Sequence, residues 1–391
     1  VLDFKQHFPI YKTNPRLAYL DSAATSQKLA ASLDAQSAYY TNFTSNVHRG
    51  MYPMAEKATS AYEQARSDVA AFLGGHQNEI VFCGGTTDGL NQAVKLLQSL
   101  PFLQNPTILL GVAEHHSNIL PWQRWEGAKL DFLGLNDDFH YDLESVVSAP
   151  DIISLSLVSN VTGAILDVAA LKERFPDSLI ILDAAQAVAH MPINVLELGV
   201  DMLVFSAHKL YASTGVGVIW ANNELWQQFE PARVGGGIVR EVYRTYATWV
   251  DSPAKFEAGT PPIAEVLGLA AAVNFLTTQI GWEQIIQHEV SLSDTLKQWF
   301  KTQAELKLYR PKNSAASIFS FSSEQMHAHD LAFGLGKLGI DIRAGHHCTQ
   351  ILHREEFQVA ATARISLGLN NTDEDLEKLM QSMPQALSAL N

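Results

Sequence analysis

The stretch MLVFSAHKLYASTG, Met202 to Gly215, carries a lysine out of an apolar run into a loop of small residues. Met202-Leu203-Val204-Phe205 has no polar position, the pattern of a strand buried on both faces. Such strands belong to parallel sheets covered by helices. Lys209 then follows at the strand's C-terminal end, beside His208. A lysine placed there either snorkels to water or sits in a pocket as a nucleophilic amine, for instance to form a Schiff base. The choice depends on the rest of the chain.

Similar runs recur at Glu79–Cys83, Thr107–Val112, Ile152–Val158, Leu179–Asp183 and Val216–Trp220. Amphipathic stretches such as Thr87–Leu100 and Ala169–Phe175 fall between several of them. The alternation predicts an α/β fold with a mostly parallel sheet. In such sheets ligands bind beyond the C-terminal strand ends. From about Pro262 the pattern changes to long helical segments, strand-like pieces (ELKLYR, ASIFSFSS, GIDIRAG, ARISLGL) and terminal helices. We therefore expect a large α/β domain over 20–276 and a smaller α+β domain over 277–391, joined by the N-terminal segment 1–19.

Composition narrows the function. The chain has 391 residues, 47% of them hydrophobic, enough for two domains with substantial cores. Its net charge of −14 repels phosphate backbones, so nucleic acid is not an expected partner. No membrane span and no signal peptide are expected either. The two cysteines, Cys83 and Cys348, rule out a disulfide framework and fit a reducing cytoplasm.

The strand ends collect polar groups. Asp183 closes an apolar strand, either as a helix cap or as the partner of a ligand's positive charge. Gly84-Gly85-Thr86-Thr87 opens a helix, which suits ordinary capping or an anion. His115 and Asn160 follow two further strands, and Ser206, His208 and Lys209 a fifth. An anion cradle, an imidazole, an amide, a carboxylate and an amine on one rim match a planar cationic ring bearing a phosphate and an aldehyde. Pyridoxal phosphate is that molecule.

Asp183-Ala-Ala-Gln186 followed by Ser206-Ala-His-Lys209 resembles the D-x-A-Q…S-x-H-K pattern of fold-type I pyridoxal-phosphate enzymes of the class V aminotransferase group. The similarity extends through Tyr19-Leu-Asp-Ser-Ala-Ala24, Asn46-Val-His-Arg49, Gly85-Thr-Thr-Asp88, Glu114-His-His-Ser-Asn118, Ser159-Asn-Val-Thr-Gly163 and Gly235-Gly-Gly237. It continues in Glu257-Ala-Gly-Thr-Pro261 and Arg343-Ala-Gly-His-His-Cys348. The last motif and Asn-Val-His-Arg resemble the SufS/CsdA-type cysteine desulfurases, the selenocysteine-lyase-like group. The resemblance implies an aminotransferase-like fold, its large domain built on a mostly parallel seven-stranded sheet.

It also implies roles. Lys209 would bind the cofactor's aldehyde and later act as the base at the substrate's α-carbon. Asp183 would keep the pyridine nitrogen protonated, Gln186 would bond the phenolic oxygen, and His115 would stack on the ring. Thr86, Thr87, Ser206 and His208 would hold the phosphate, together with the partner subunit's Thr260, so a homodimer is implied. Arg364 would bind the substrate carboxylate, with His48, Arg49, Asn160 and Arg343 completing the pocket. Cys348 would attack the sulfur of L-cysteine, leaving alanine and an enzyme persulfide for a SufE/CsdE-type acceptor protein. The short spacing from Cys348 to Arg364 suggests a recessed persulfide. L-selenocysteine and L-cysteine sulfinate are alternative substrates, and lyase or desulfinase action is the alternative activity. An aminotransferase, a kynureninase-like hydrolase and a non-catalytic binding protein are further rivals.

Two features bear on these expectations. His346, His347, Cys348 and His353 have no ligand spacing of a zinc motif, so no metal is expected. The family usually has glycine where Ala207 stands, and Gly-Pro where Ala212-Ser213 stand. Alanine is tolerated at Ala207 only if φ is negative there.

Overall fold

The computed structural model describes residues 3–388. Strand β1 (Ala18–Tyr19) lies outside the main sheet. That sheet comprises β2 (Ile80–Cys83), β3 (Thr107–Gly111), β4 (Lys129–Leu133), β5 (Ile152–Ser156), β6 (Leu179–Asp183), β7 (Met202–Ser206) and β8 (Gly217–Ala221). Its seven strands lie in the order β2-β8-β7-β6-β5-β3-β4. Only β8 runs against its neighbours; the other pairings are parallel. The mostly parallel sheet expected from the apolar runs is present, and β2, β3, β5, β6 and β7 end on one rim.

Alternation builds the layers. Successive strand residues point to opposite faces. Leu182, Leu203 and Phe205 therefore join one apolar layer, while Ile181, Met202 and Val204 join the other. Each such side chain contributes about 1.5–3 kcal/mol on burial. β4 escaped the sequence reading because it is an edge strand: Lys129 and Phe132 are exposed, so no continuous apolar run marks it.

β9 (Val239–Val242) and β10 (Ala247–Trp249) form an antiparallel hairpin. Then β11 (Leu306–Tyr309), β12 (Ile318–Ser323), β14 (Arg343–Gly345) and β15 (Thr362–Ser366) make an antiparallel sheet in the order β11-β12-β15-β14. β13 (Ile340–Asp341) pairs in parallel with β1. A third apolar cluster, including Leu296, Phe319, Ile365 and Leu379, packs this region.

One segment departs from expectation. The 18-residue helical run Ile263–Ile280 has a mean hydropathy of 1.5, enough in length and composition to cross a membrane. Here it is a core helix. It packs against helices Ala30–Asn42 and Pro53–Phe72, burying Val266, Leu269 and Val273. Gly268 makes the approach possible, because an added Cβ would lie 2.4 Å from Gln36 Nε2.

Candidate active site

The rim carries a cavity of about 210 Å³. Its wall includes Thr86, Thr87, His115, Asn160, Asp183 and Gln186, and also Ser206, His208, Lys209, Arg343, Cys348 and Arg364. Twelve of the fifteen residues singled out in the sequence thus meet in one place. His48, Arg49 and Thr260 do not line this cavity within a single chain. His48 instead pairs with Glu63 at 2.9 Å, and Arg49 and Thr260 are exposed.

At one end, helix Thr86–Gln98 points its N-terminus at the cavity. Gly85 precedes it at φ +136°, a backbone conformation that side chains rarely adopt. The Thr86 N–H donates to Ser206 Oγ at 2.6 Å, and the Thr86 and Ser206 hydroxyls lie 2.7 Å apart. Thr87 Oγ1 lies 2.7 Å from Ser117 Oγ. This hydroxyl-rich helix start is an anion cradle. Asp88 folds back so that Oδ2 accepts the Gly84 N–H at 2.7 Å, which sets the turn.

In the middle lie the buried titratable groups. Asp183 ends β6 with one backbone donor, the Ala185 N–H at 2.9 Å. Burial raises its carboxyl, and Lys209 opposes that. Burial likewise pushes the Lys209 ammonium down to about 8, with Asp183 opposing. The lysine is therefore a pocket amine. His115 and His208 are each lowered to about 4, by burial first and Lys209 next. Both are neutral at pH 7. His115 Nδ1 accepts the Ser117 N–H at 3.1 Å, so its own proton sits on Nε2. Gln186 Nε2 donates to the Ala23 carbonyl at 2.8 Å.

A further part of the lining comes from the smaller sheet. Arg364, on β15, is buried; Nη1 donates to the Asn160 carbonyl at 2.9 Å and Nη2 to Asp21 at 3.2 Å. Arg364 Nε and Asn160 Oδ1 are buried without partners, an unmet donor and an unmet acceptor. Cys348 is exposed, at φ +60° after His347 at φ +50°. Buried contacts clamp this tip. Asn160 Nδ2 donates to the His347 carbonyl at 2.7 Å, and the His116 N–H donates to the Cys348 carbonyl at 2.8 Å. Cys348 is thus both exposed in the single chain and part of the cavity wall. Cys83, by contrast, is buried in β2, and burial pushes its thiol up to about 12.

Several site residues drew no role from the sequence. Asp21 holds both Arg343 and Arg364. Glu114 is buried beside His115, receiving Tyr141, Asn118 and the Ser156 hydroxyl and N–H, and burial raises it to about 7. Glu257 takes Arg66 at 2.6 Å and the Phe82 N–H at 2.7 Å, anchoring the loop that carries Thr260. All three stand in the motifs quoted above, but motif membership does not reveal what a side chain touches.

The sequence profile of the class-V aminotransferase family matches residues 18–379. The chain belongs to that family. Relatives named as probable cysteine desulfurases include one from Staphylococcus epidermidis, 36% identical over 97% of this chain and 94% of its own. Another, from Mycobacterium leprae, is 37% identical over 97% of this chain and 95% of its own. Among solved structures, a cysteine desulfurase from Thermococcus onnurineus superposes with a TM-score of 0.93 at 32% identity, covering 99% of this chain and 98% of its own. The cysteine desulfurase CsdA from Escherichia coli gives 0.91 at 33% identity, covering 100% of both chains.

The groups present fit pyridoxal phosphate. A cradle lined by Thr86, Thr87, Ser206 and His208 suits its phosphate. The buried Asp183 suits a protonated ring nitrogen, and Lys209 supplies an amine. Among the described residues no cluster of His, Cys, Asp or Glu is arranged to hold a metal ion.

Proposed function

We propose that this cysteine desulfurase, dependent on pyridoxal phosphate, passes sulfur from L-cysteine to the thiol of Cys348 and from there to an acceptor protein. The observation that carries this reading is the shared cavity. The large sheet supplies Lys209 and Asp183 to its lining, and the smaller sheet region supplies Cys348 and Arg364. The cofactor, when bound, offers an aldehyde to amines and a cationic ring that accepts electrons from the α-carbon.

The protein's own groups do the rest. Arg364 presents a guanidinium to the substrate carboxylate, a bidentate fit. Lys209, neutral once its proton is lost at about pH 8, takes the α-proton at Nζ. His115, which lines the cavity and carries its proton on Nε2, is a donor for proton transfer. Cys348 Sγ, as thiolate, forms a bond to the substrate sulfur while the carbon–sulfur bond breaks. Overall, L-cysteine and the Cys348 thiol give L-alanine and the Cys348 persulfide, so no outside oxidant or reductant is needed.

The finer assignments extend this reading. A homodimer would bring the partner subunit's Thr260 to the phosphate, and His48 and Arg49 toward the substrate. A carrier of the SufE/CsdE type would receive the sulfur, for which the exposed Cys348 is suited. Two free cysteines accord with a cytoplasmic location. We take 20–276 and 277–391 as two domains; the helical irregularity at Phe275–Ile280 supports that boundary, and the β1–β13 pairing supports attaching 1–19 to the second.

The test is alanine release from L-cysteine by wild type and Cys348→Ser, with L-selenocysteine in parallel. Cysteine turnover should fall by a factor of about 100 or more, while selenocysteine turnover persists. Equal cysteine turnover by both proteins would return Cys348 to a structural role and favour a lyase.

A further inference from the structure

Helix Pro53–Phe72 carries Thr59, Tyr62, Glu63 and Arg66 at i, i+3, i+4 and i+7, the spacing of one helix face. That face grips two loops far apart in sequence. Thr59 Oγ1 accepts the His48 N–H at 2.8 Å, and Glu63 Oε1 lies 2.9 Å from His48 Nε2. These bonds hold His48 at φ +73°, uncommon for a residue with a side chain. The second loop is held through Glu257. Arg66 Nη1 and Nη2 donate to its two carboxylate oxygens at 2.6 and 2.9 Å, and the Tyr62 hydroxyl donates at 3.0 Å. Arg66 Nε completes the link by donating to Glu63 Oε2 at 2.9 Å. One guanidinium, its side chain 2% exposed, thus ties the His48–Arg49 loop to the loop of Glu257 and Thr260.

The joint does not serve the cavity of its own chain directly. His48, Arg49 and Thr260 do not line that cavity, and all three are exposed. Met51, Tyr52 and Met54, which follow in sequence, are exposed as well. The loops are fixed at their base while their functional groups stay uncovered, which is how a preorganised docking element is built. The network has a second contact, with β2. The Phe82 N–H donates to Glu257 at 2.7 Å and Arg66 Nη1 to the Ile80 carbonyl at 2.9 Å. β2 leads into the chain's own anion cradle, so action on the chain's own site is the competing route.

We propose that Arg66 is a positioning residue for the active site of the partner subunit: it holds His48 and Thr260 in one fixed relation, so that both enter that site together. The proposal rests on the dimer reading above. Ordering both loops beforehand lowers the cost of assembling the shared site. Precision matters there, because a displacement of about 1 Å at a reacting centre can cost on the order of a hundredfold in rate.

The test uses mixed dimers of two differently tagged chains. Lys209→Ala silences the site of the chain that carries it. Arg66→Lys keeps a charge for Glu257 but loses the fork that also reaches Glu63. In the first mixed dimer the two substitutions lie on separate chains, so the live site receives His48 and Thr260 from a chain with native Arg66. In the second both lie on one chain, so the live site receives them from the altered chain. The first should keep kcat/KM for L-cysteine near that of a dimer with Lys209→Ala in one chain alone, and the second should fall about tenfold. Glu63→Ala in the same two arrangements should give the same asymmetry with a smaller loss. Its side chain is 40% exposed, so it keeps the idea testable if Arg66→Lys does not fold. Equal activity of the two mixed dimers overturns the proposal, because a general loss of stability lowers both alike. A greater loss in the first also overturns it and assigns Arg66 to its own site through β2. A wild type that is a fully active monomer removes the dimer reading and the proposal together. If wild type makes no alanine from L-cysteine, the desulfurase reading fails by itself. The amount of pyridoxal phosphate that borohydride fixes to Lys209 then decides the proposal: less in the second mixed dimer supports it, and equal amounts overturn it.

Discussion

Lys209 shows how burial changes the use of a single residue. Its amine reacts only when neutral, and burial lowers its ammonium to about 8. Capture of pyridoxal phosphate by cofactor-free protein should therefore speed up as pH rises to about 8 and then level off. An ordinary lysine would go on gaining to about 10.4. Rapid-mixing absorbance measures this directly, and a rate still climbing near pH 10 would remove the buried-amine argument. Ala207 makes a second point at this scale. It is absent from the positive-φ residues and its N–H donates to Val216, so alanine sits there without strain. The left-handed turn falls instead on Tyr211, at φ +60°.

Between elements, the anion cradle depends on how closely β8 approaches the loop before helix Thr86–Gln98. An added Cβ on Gly217 would lie 2.5 Å from Gly85 Cα and 2.6 Å from the Phe205 carbonyl oxygen. Both are backbone atoms, so neither can swing aside. Gly217→Ala should cost about 1–3 kcal/mol of stability and weaken cofactor binding, because it pushes Gly85 and Thr86 away from Ser206. Denaturant unfolding and cofactor titration together test this. An unchanged cofactor affinity would show that the loop yields without moving the helix start. The strands of this cradle were legible as apolar runs because the sheet buries both faces. Edge strand β4 and the helices Ala30–Asn42 and Pro53–Phe72 were not.

For the whole molecule, the unplaced residues are informative. His48, Arg49 and Thr260 lie outside the cavity of one chain. Near His48 and Arg49 the surface exposes Met51, Tyr52 and Met54, with Met51 at 96%. Apolar groups clustered in this way mark an interface. We expect a dimer in sedimentation, and turnover that falls as dilution separates the subunits. A fully active monomer would overturn this expectation and leave Thr260 without a role at the phosphate.

By itself the sequence determined the α/β class and the rim of the sheet, and it picked out most of the polar residues that line the cavity there. Apolar runs report double-sided burial, and polar residues at their ends stand out against them. Only the tertiary structure decided that β14 and β15 set Arg343 opposite Arg364, that Asp21 stands between them, and that Glu257 anchors the loop bearing Thr260. Those contacts join residues far apart in the chain, as Asp21 and Arg364 are. Charge pairing across such distances follows from strand register and packing, and no local pattern of residues encodes it.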